Sequence, residues 1–142
     1  MRGGSLRVFP LLFVKVVFMV TDTKNLKASE FACKHCGENK VDQRVLDMAQ
    51  VIRDELGVPV RVNSGYRCET HNKNVGGVKN SKHTKGQAAD LSCSLGSAKM
   101  FETVKKLHAE GKLPQLDYCI KYKTFIHIDC GGKRKSLWEV RA

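Results

Sequence analysis

Three side chains in this sequence have the types and spacing for metal chemistry. In Ser81-Lys82-His83-Thr84-Lys85-Gly86-Gln87-Ala88-Ala89-Asp90, an imidazole and a carboxylate are separated by one short turn. If Ala88 to Cys93 is a strand, Ala88, Asp90 and Ser92 share one face while Ala89, Leu91 and Cys93 share the other. Asp90 then points away from the core, and Gly86 lets the chain fold back so that His83 approaches it. Further on, the alternation in Thr124 to Asp129 sends Ile126 and Ile128 inward and sets His127 and Asp129 side by side on the opposite face. His83, Asp90 and His127 together offer two nitrogens and one oxygen, the donor set of a catalytic Zn2+ with its fourth position left for water. Histidine and aspartate are common, so a surface histidine and a strand-end aspartate describe the same residues equally well.

The stretches around these residues carry a resemblance. SGYRCETHN, VGGVKNSKHTKGQAAD and FIHID together resemble the zinc D-alanyl-D-alanine peptidases of the hedgehog-like fold, over about Lys27 to Trp138. The specific part is S-x-H-x-x-G-x-A-x-D followed by a later H-x-D. The resemblance implies a zinc metallopeptidase acting on peptidoglycan stem or cross-bridge peptides, as a carboxypeptidase or an endopeptidase of the phage type. It implies Zn2+ held by His83, Asp90 and His127, Arg67 stabilising the polarised carbonyl, and Ser81 contacting substrate. One feature departs from the family: the dipeptidases and phage enzymes carry a glutamate base shortly before the last zinc histidine, whereas Lys121-Tyr122-Lys123-Thr124 has no acid. Asp129 is the first candidate for that base and Asp117 the second, Asp129 serving equally well as the carboxylate that orients His127. The missing glutamate also keeps open a catalytically inactive, hedgehog-like zinc module that binds cell wall or another partner.

The elements that must position these residues are legible around them. The 142-residue chain has the length of one domain. Its first twenty residues form an apolar leader, broken by Pro10 and Lys15, that reads as signal-like or as lying outside the functional protein, with residues 25–142 as the catalytic domain. The leader's apolar run is too short for a stable membrane span, and a monomer is expected. Val41 to Leu56 has a helical apolar stripe ended by Gly57-Val58-Pro59, and Gly96 to Gly111 reads as a second helix capped by Ser97. Pro59 to Asn63, Ala88 to Cys93, Leu116 to Ile120, Thr124 to Asp129 and Ser136 to Val140 read as strands. The expected class is α+β: a small antiparallel sheet with helices packed on one side and the site on the other. The connection from Asn63 to Ala88 reads as a long loop ordered by Gly and Asn.

Three features lie outside that chemistry. Cys33-x-x-Cys36 suggests zinc or redox chemistry, but without a second such pair two free thiols or a local staple fit better, and Cys68, Cys93, Cys119 and Cys130 are scattered. His71 reads as loop-stabilising and His108 as solvated. The net charge of +11 would suit a nucleic-acid module, yet the few aromatics do not interleave with the basic residues, so no nucleic-acid partner is expected. A cationic surface equally suits the anionic cell wall. A leader acting as a signal would place the protein in the cell wall, the periplasm or outside the cell; otherwise it is cytoplasmic before phage lysis.

Overall fold

The computed structural model describes residues 20–132 and 137–141. The apolar leader up to residue 19 and the basic cluster Lys133-Arg134-Lys135 lie outside the described residues. Helix α1 spans Gln43–Leu56; Asp42 caps it by accepting from Arg44 N at 2.9 Å, and Gly57, at φ 71°, closes it in the left-handed conformation. Its inward face buries Val45, Leu46, Met48, Ala49, Ile52 and Leu56. Strand β1 (Val60–Ser64) follows, then a short helix α2 (Glu69–Asn74), strand β2 (Ala88–Cys93), helix α3 (Ser97–Ala109), and strands β3 (Tyr118–Lys121), β4 (Ile126–Asp129) and β5 (Trp138–Val140).

The five strands lie in the order β1-β2-β4-β3-β5. All neighbours are antiparallel except β3 and β5, which run parallel, so the sheet is mixed in place of the wholly antiparallel one expected. Alternation explains its two faces. Ala89 and Leu91 of β2 and Ile126 and Ile128 of β4 are fully buried with Phe31, α1 and α3. Each large core side chain of this kind contributes about 1.5–3 kcal/mol relative to leaving it exposed. Residues between them, Asp90 and His127, emerge on the face away from that core.

Three local readings change. Ser97 makes no side-chain cap for α3; its hydroxyl donates instead to the carbonyls of Tyr122 and Lys123, at 2.7 and 2.9 Å, tying the helix start to the β3–β4 turn. The connection between β1 and β2 is not a plain loop, because α2 and a 3₁₀ turn at Lys82–Lys85 both interrupt it. Its glycines and asparagines obscured the helix, which Cys68 caps by accepting from His71 N at 3.4 Å. His108 is half-buried rather than solvated, its ring edge-on to Trp138 with centroids 5.5 Å apart.

Candidate metal centre and its cleft

Two strands and one turn bring the three expected ligands together. Asp90 and His127 are directly opposed across β2 and β4, so strand register alone puts them on one face as neighbours. His83 arrives from the 3₁₀ turn: Ser81 Oγ accepts from His83 N at 3.1 Å at its start, and Gly86, at φ 72°, reverses the chain at its end. Gly86 is required twice over, since a β-carbon there would also collide with the carbonyl oxygen of Lys40. Arg67 N donates to His83 O at 3.0 Å, joining the turn to the segment after β1.

Asp90 Oδ1 lies 3.2 Å from His83 Nε2 and 3.0 Å from His127 Nδ1. Each ring engages an acceptor with its other nitrogen: His83 Nδ1 is 2.7 Å from Gly65 O, and His127 Nε2 is 2.8 Å from Asp129 Oδ2. A neutral imidazole has one N–H, and these outer acceptors claim it on both rings. The two inner nitrogens and the Asp90 oxygen therefore face one another as three lone-pair donors. Such a trio is repulsive unless a cation lies among them, and tetrahedral Zn2+ with bonds of about 2.0–2.2 Å would set its ligand atoms about 3.3 Å apart. The residues fit the metal.

Without metal, a proton does the same work. Burial of Asp90 opposes its charge, but the hydrogen bonds and charges of His127 and His83 prevail and hold the carboxyl well below its usual range. Burial likewise opposes a charged His127, yet its bonds to Asp129 and Asp90 outweigh that and raise its pKa.

The centre opens into a cleft of about 600 Å³, within the range of small-ligand sites. Arg67 lines it, and Arg67 Nε is buried with no hydrogen-bond partner among the described residues. Burial pulls the pKa of this guanidinium down, opposed by Asp90 and Tyr122. A buried donor of this kind is available to a group entering the cleft. Ser81 also lines the cleft, its hydroxyl already serving as the cap of the His83 turn.

The two expected proton shuttles are placed differently. Asp129 lines the cleft but is fully buried, with Oδ2 committed to His127. Asp117 Oδ2 accepts from Gly132 N at 2.6 Å, and Asp117 is not among the residues that line the cleft. Sequence reasoning missed the Gly65 carbonyl, which no side chain advertises. It also missed the far wall, where Tyr122 stacks on Phe125 at 4.5 Å and Arg141 approaches the Tyr122 hydroxyl at 3.1 Å. Alternation from Tyr118 through Ile120 to Tyr122 was the available signal for that wall.

Comparison with known proteins agrees with this geometry. The family model described as Peptidase M15 matches residues 24–129, a span that contains His83, Asp90 and His127. A zinc D-Ala-D-Ala carboxypeptidase from Streptomyces albus G is 51% identical to the chain over 43 residues, which are 30% of this chain and 17% of that protein. The match thus spans under a fifth of that relative's length.

Proposed function

The chain belongs to the peptidase M15 family, and from that premise we propose that it is a zinc metallopeptidase hydrolysing a peptide bond in the stem or cross-bridge peptides of peptidoglycan. The observation that carries the reading is the convergence of His83 Nε2, Asp90 Oδ1 and His127 Nδ1 with both outer nitrogens already engaged. Zn2+ bound there supplies Lewis-acid polarisation of the scissile carbonyl and lowers the pKa of a water toward neutrality.

The remaining work falls to this chain's own residues. Gly65 O and Asp129 Oδ2 hold the two rings in the ligand tautomer. Arg67 has the position and the spare N–H to receive the carbonyl oxygen as negative charge develops on it. Asp129 acts through His127 as a positioning residue, its Oδ2 bonded to the ring at 2.8 Å in a fully buried site. Arg67, Lys79, Lys82 and Arg141 line the cleft, while its two carboxylates, Asp90 and Asp129, are both bonded to imidazoles. Such a lining favours a carboxylate-bearing peptide and supports the carboxypeptidase form over the endopeptidase.

A second reading, a zinc-holding module without catalysis, draws on one observation: no cleft-lining carboxylate among the described residues is uncommitted. Incubating the zinc-loaded protein with purified peptidoglycan and with a D-Ala-D-Ala-terminated pentapeptide separates the readings by mass analysis. Free D-Ala is expected from the carboxypeptidase and new internal amine ends from the endopeptidase. Intact substrates under zinc-replete conditions would leave only the binding module.

A further inference from the structure

A second cluster lies apart from the cleft lining. The sulfurs of Cys33, Cys36 and Cys68 all lie within 4.8 Å of one another, although Cys68 stands 32 positions after Cys36 in the chain. All three are free thiols. Cys33 is buried, Cys68 half-buried and Cys36 exposed, so the cluster sits at the surface with one sulfur facing inward. Backbone N–H groups point at two of the sulfurs: Cys68 N donates to Cys33 Sγ and His71 N to Cys68 Sγ, each at 3.4 Å. Two imidazoles stand beside them. His35 Nδ1 is 3.6 Å from Cys68 Sγ, and the His35 and His71 rings stack with centroids 6.0 Å apart.

We propose that Cys33, Cys36 and Cys68 bind a structural Zn2+ distinct from the cleft metal, with the ring of His35, whose Nδ1 lies 3.6 Å from Cys68 Sγ but outside the 4.8 Å cluster of sulfurs, swinging in to complete the tetrahedron. Bonds of about 2.3 Å to sulfur and about 2.0–2.1 Å to nitrogen put tetrahedral S and N ligands about 3.6 Å apart, which is the observed Cys68 to His35 separation. A disulfide accounts for less, since it can join only two of the three sulfurs. N–H groups aimed at sulfur stabilise thiolate, the form that binds metal, and each thiol gives its proton to solvent as the metal enters.

The cluster has a structural task. Tyr66 N donates to Phe31 O at 2.7 Å, and a metal clamping Cys33 and Cys36 to Cys68 would fasten the same two segments covalently. Cys68 follows Arg67 directly and stands three residues after Gly65, the acceptor that orients His83. The second metal would thus hold the backbone from which the cleft is built. This reading is independent of any peptidase activity.

The test uses the full chain, fully reduced and reconstituted with Zn2+ or Co2+. Two metals per chain are expected, and the Co2+ form should show near-ultraviolet thiolate-to-cobalt charge transfer, which a His2Asp site cannot produce. His83→Ala should lose one metal and keep that absorption. Cys33→Ser/Cys36→Ser should lose one metal and the absorption together, and Cys68→Ser should do the same should the double variant fold poorly. His35→Ala should shift the visible cobalt bands; unchanged bands would remove His35 from the set. Reduced wild-type protein with no thiolate–cobalt absorption, or absorption that persists in both cysteine variants, would overturn the site.

Discussion

The His83–Asp90–His127 cluster and the Cys33–Cys36–Cys68 cluster both gather metal-ligating atoms within 4.8 Å, yet they are assembled by opposite means. Two ligands of the first stand on adjacent strands whose hydrogen-bonded register places them, and the third is locked by a glycine turn and two backbone bonds. The second hangs on a turn and a helix cap, and the backbone hydrogen bonds between chain segments beside it, Tyr66 N to Phe31 O and Arg67 N to His83 O, flank the cysteines without fixing them in a strand register. The first opens on a cleft with an unpartnered guanidinium Nε; the cysteine residues line none of that cleft. A site on rigid strands can keep its geometry while one coordination position stays exchangeable, whereas loop-borne thiols need the ion itself to complete their order. The difference separates a centre built for turnover from one built for holding.

Breaking the first cluster should have the largest effect. His83→Ala is expected to abolish hydrolysis and remove one metal per chain while the far-ultraviolet dichroism persists; residual hydrolysis near the wild-type rate would contradict the cleft assignment. Arg67→Ala should retain both metals and lower kcat by about 10²–10³-fold, the usual loss for one donor to a developing oxyanion. A change in KM alone would mean that Arg67 only binds substrate.

Asp129→Asn sharpens the contrast between holding and reacting. The side-chain carbonyl introduced by this change could still accept from His127, so activity and zinc affinity should fall together by about 10–100-fold. A far larger loss of kcat at unchanged zinc affinity would make Asp129 the proton shuttle after all.

Gly65 is the joint between the two clusters. A β-carbon there would sit 2.5 Å from Phe31 O, and the Gly65 carbonyl holds His83. Gly65→Ala should cost about 1–3 kcal/mol of stability, measured by urea denaturation, and should weaken metal binding at the cleft as well. Destabilisation with unaltered cleft affinity would show that the two sites are uncoupled.

The smallest effect concerns the metal-free centre. Asp90 lies below its ordinary 3.8, so its contribution is present above that pH and is lost as pH falls through the folded value. His127 lies above its ordinary 6.5, so its contribution is complete below that pH and is lost as pH rises through the folded value. Chelator-treated protein should therefore unfold at higher urea at about pH 5 than at about pH 8, while zinc affinity changes the other way because His127 must shed its proton to bind. Equal midpoints would mean that the charged Asp90–His127 pair does not form.

Much of the cleft was legible before any coordinates. Strand alternation faced Asp90 and His127 outward, and Gly86 marked the turn that returns His83, because period-two patterning and left-handed glycine are local properties of the chain. Helices α1 and α3 were legible for the same reason, through their apolar stripes. The α2 helix was not: six polar residues carry no stripe, and its cap is a cysteine sulfur, which propensity does not count.

What the sequence determined by itself was therefore the faces and turns: which residues look inward, where the chain reverses, and which donor types meet on one strand face. Tertiary structure alone decided the pairings between segments distant in the chain. It set β5 parallel to β3, moved Asp117 to Gly132 and out of the cleft, gave His83 a backbone carbonyl as its outer partner, and carried Cys68 to Cys33 and Cys36. The physical reason is common to all four. Each depends on a contact whose two halves carry no mutual signal in a linear pattern and which forms only when packing of the core brings the segments together.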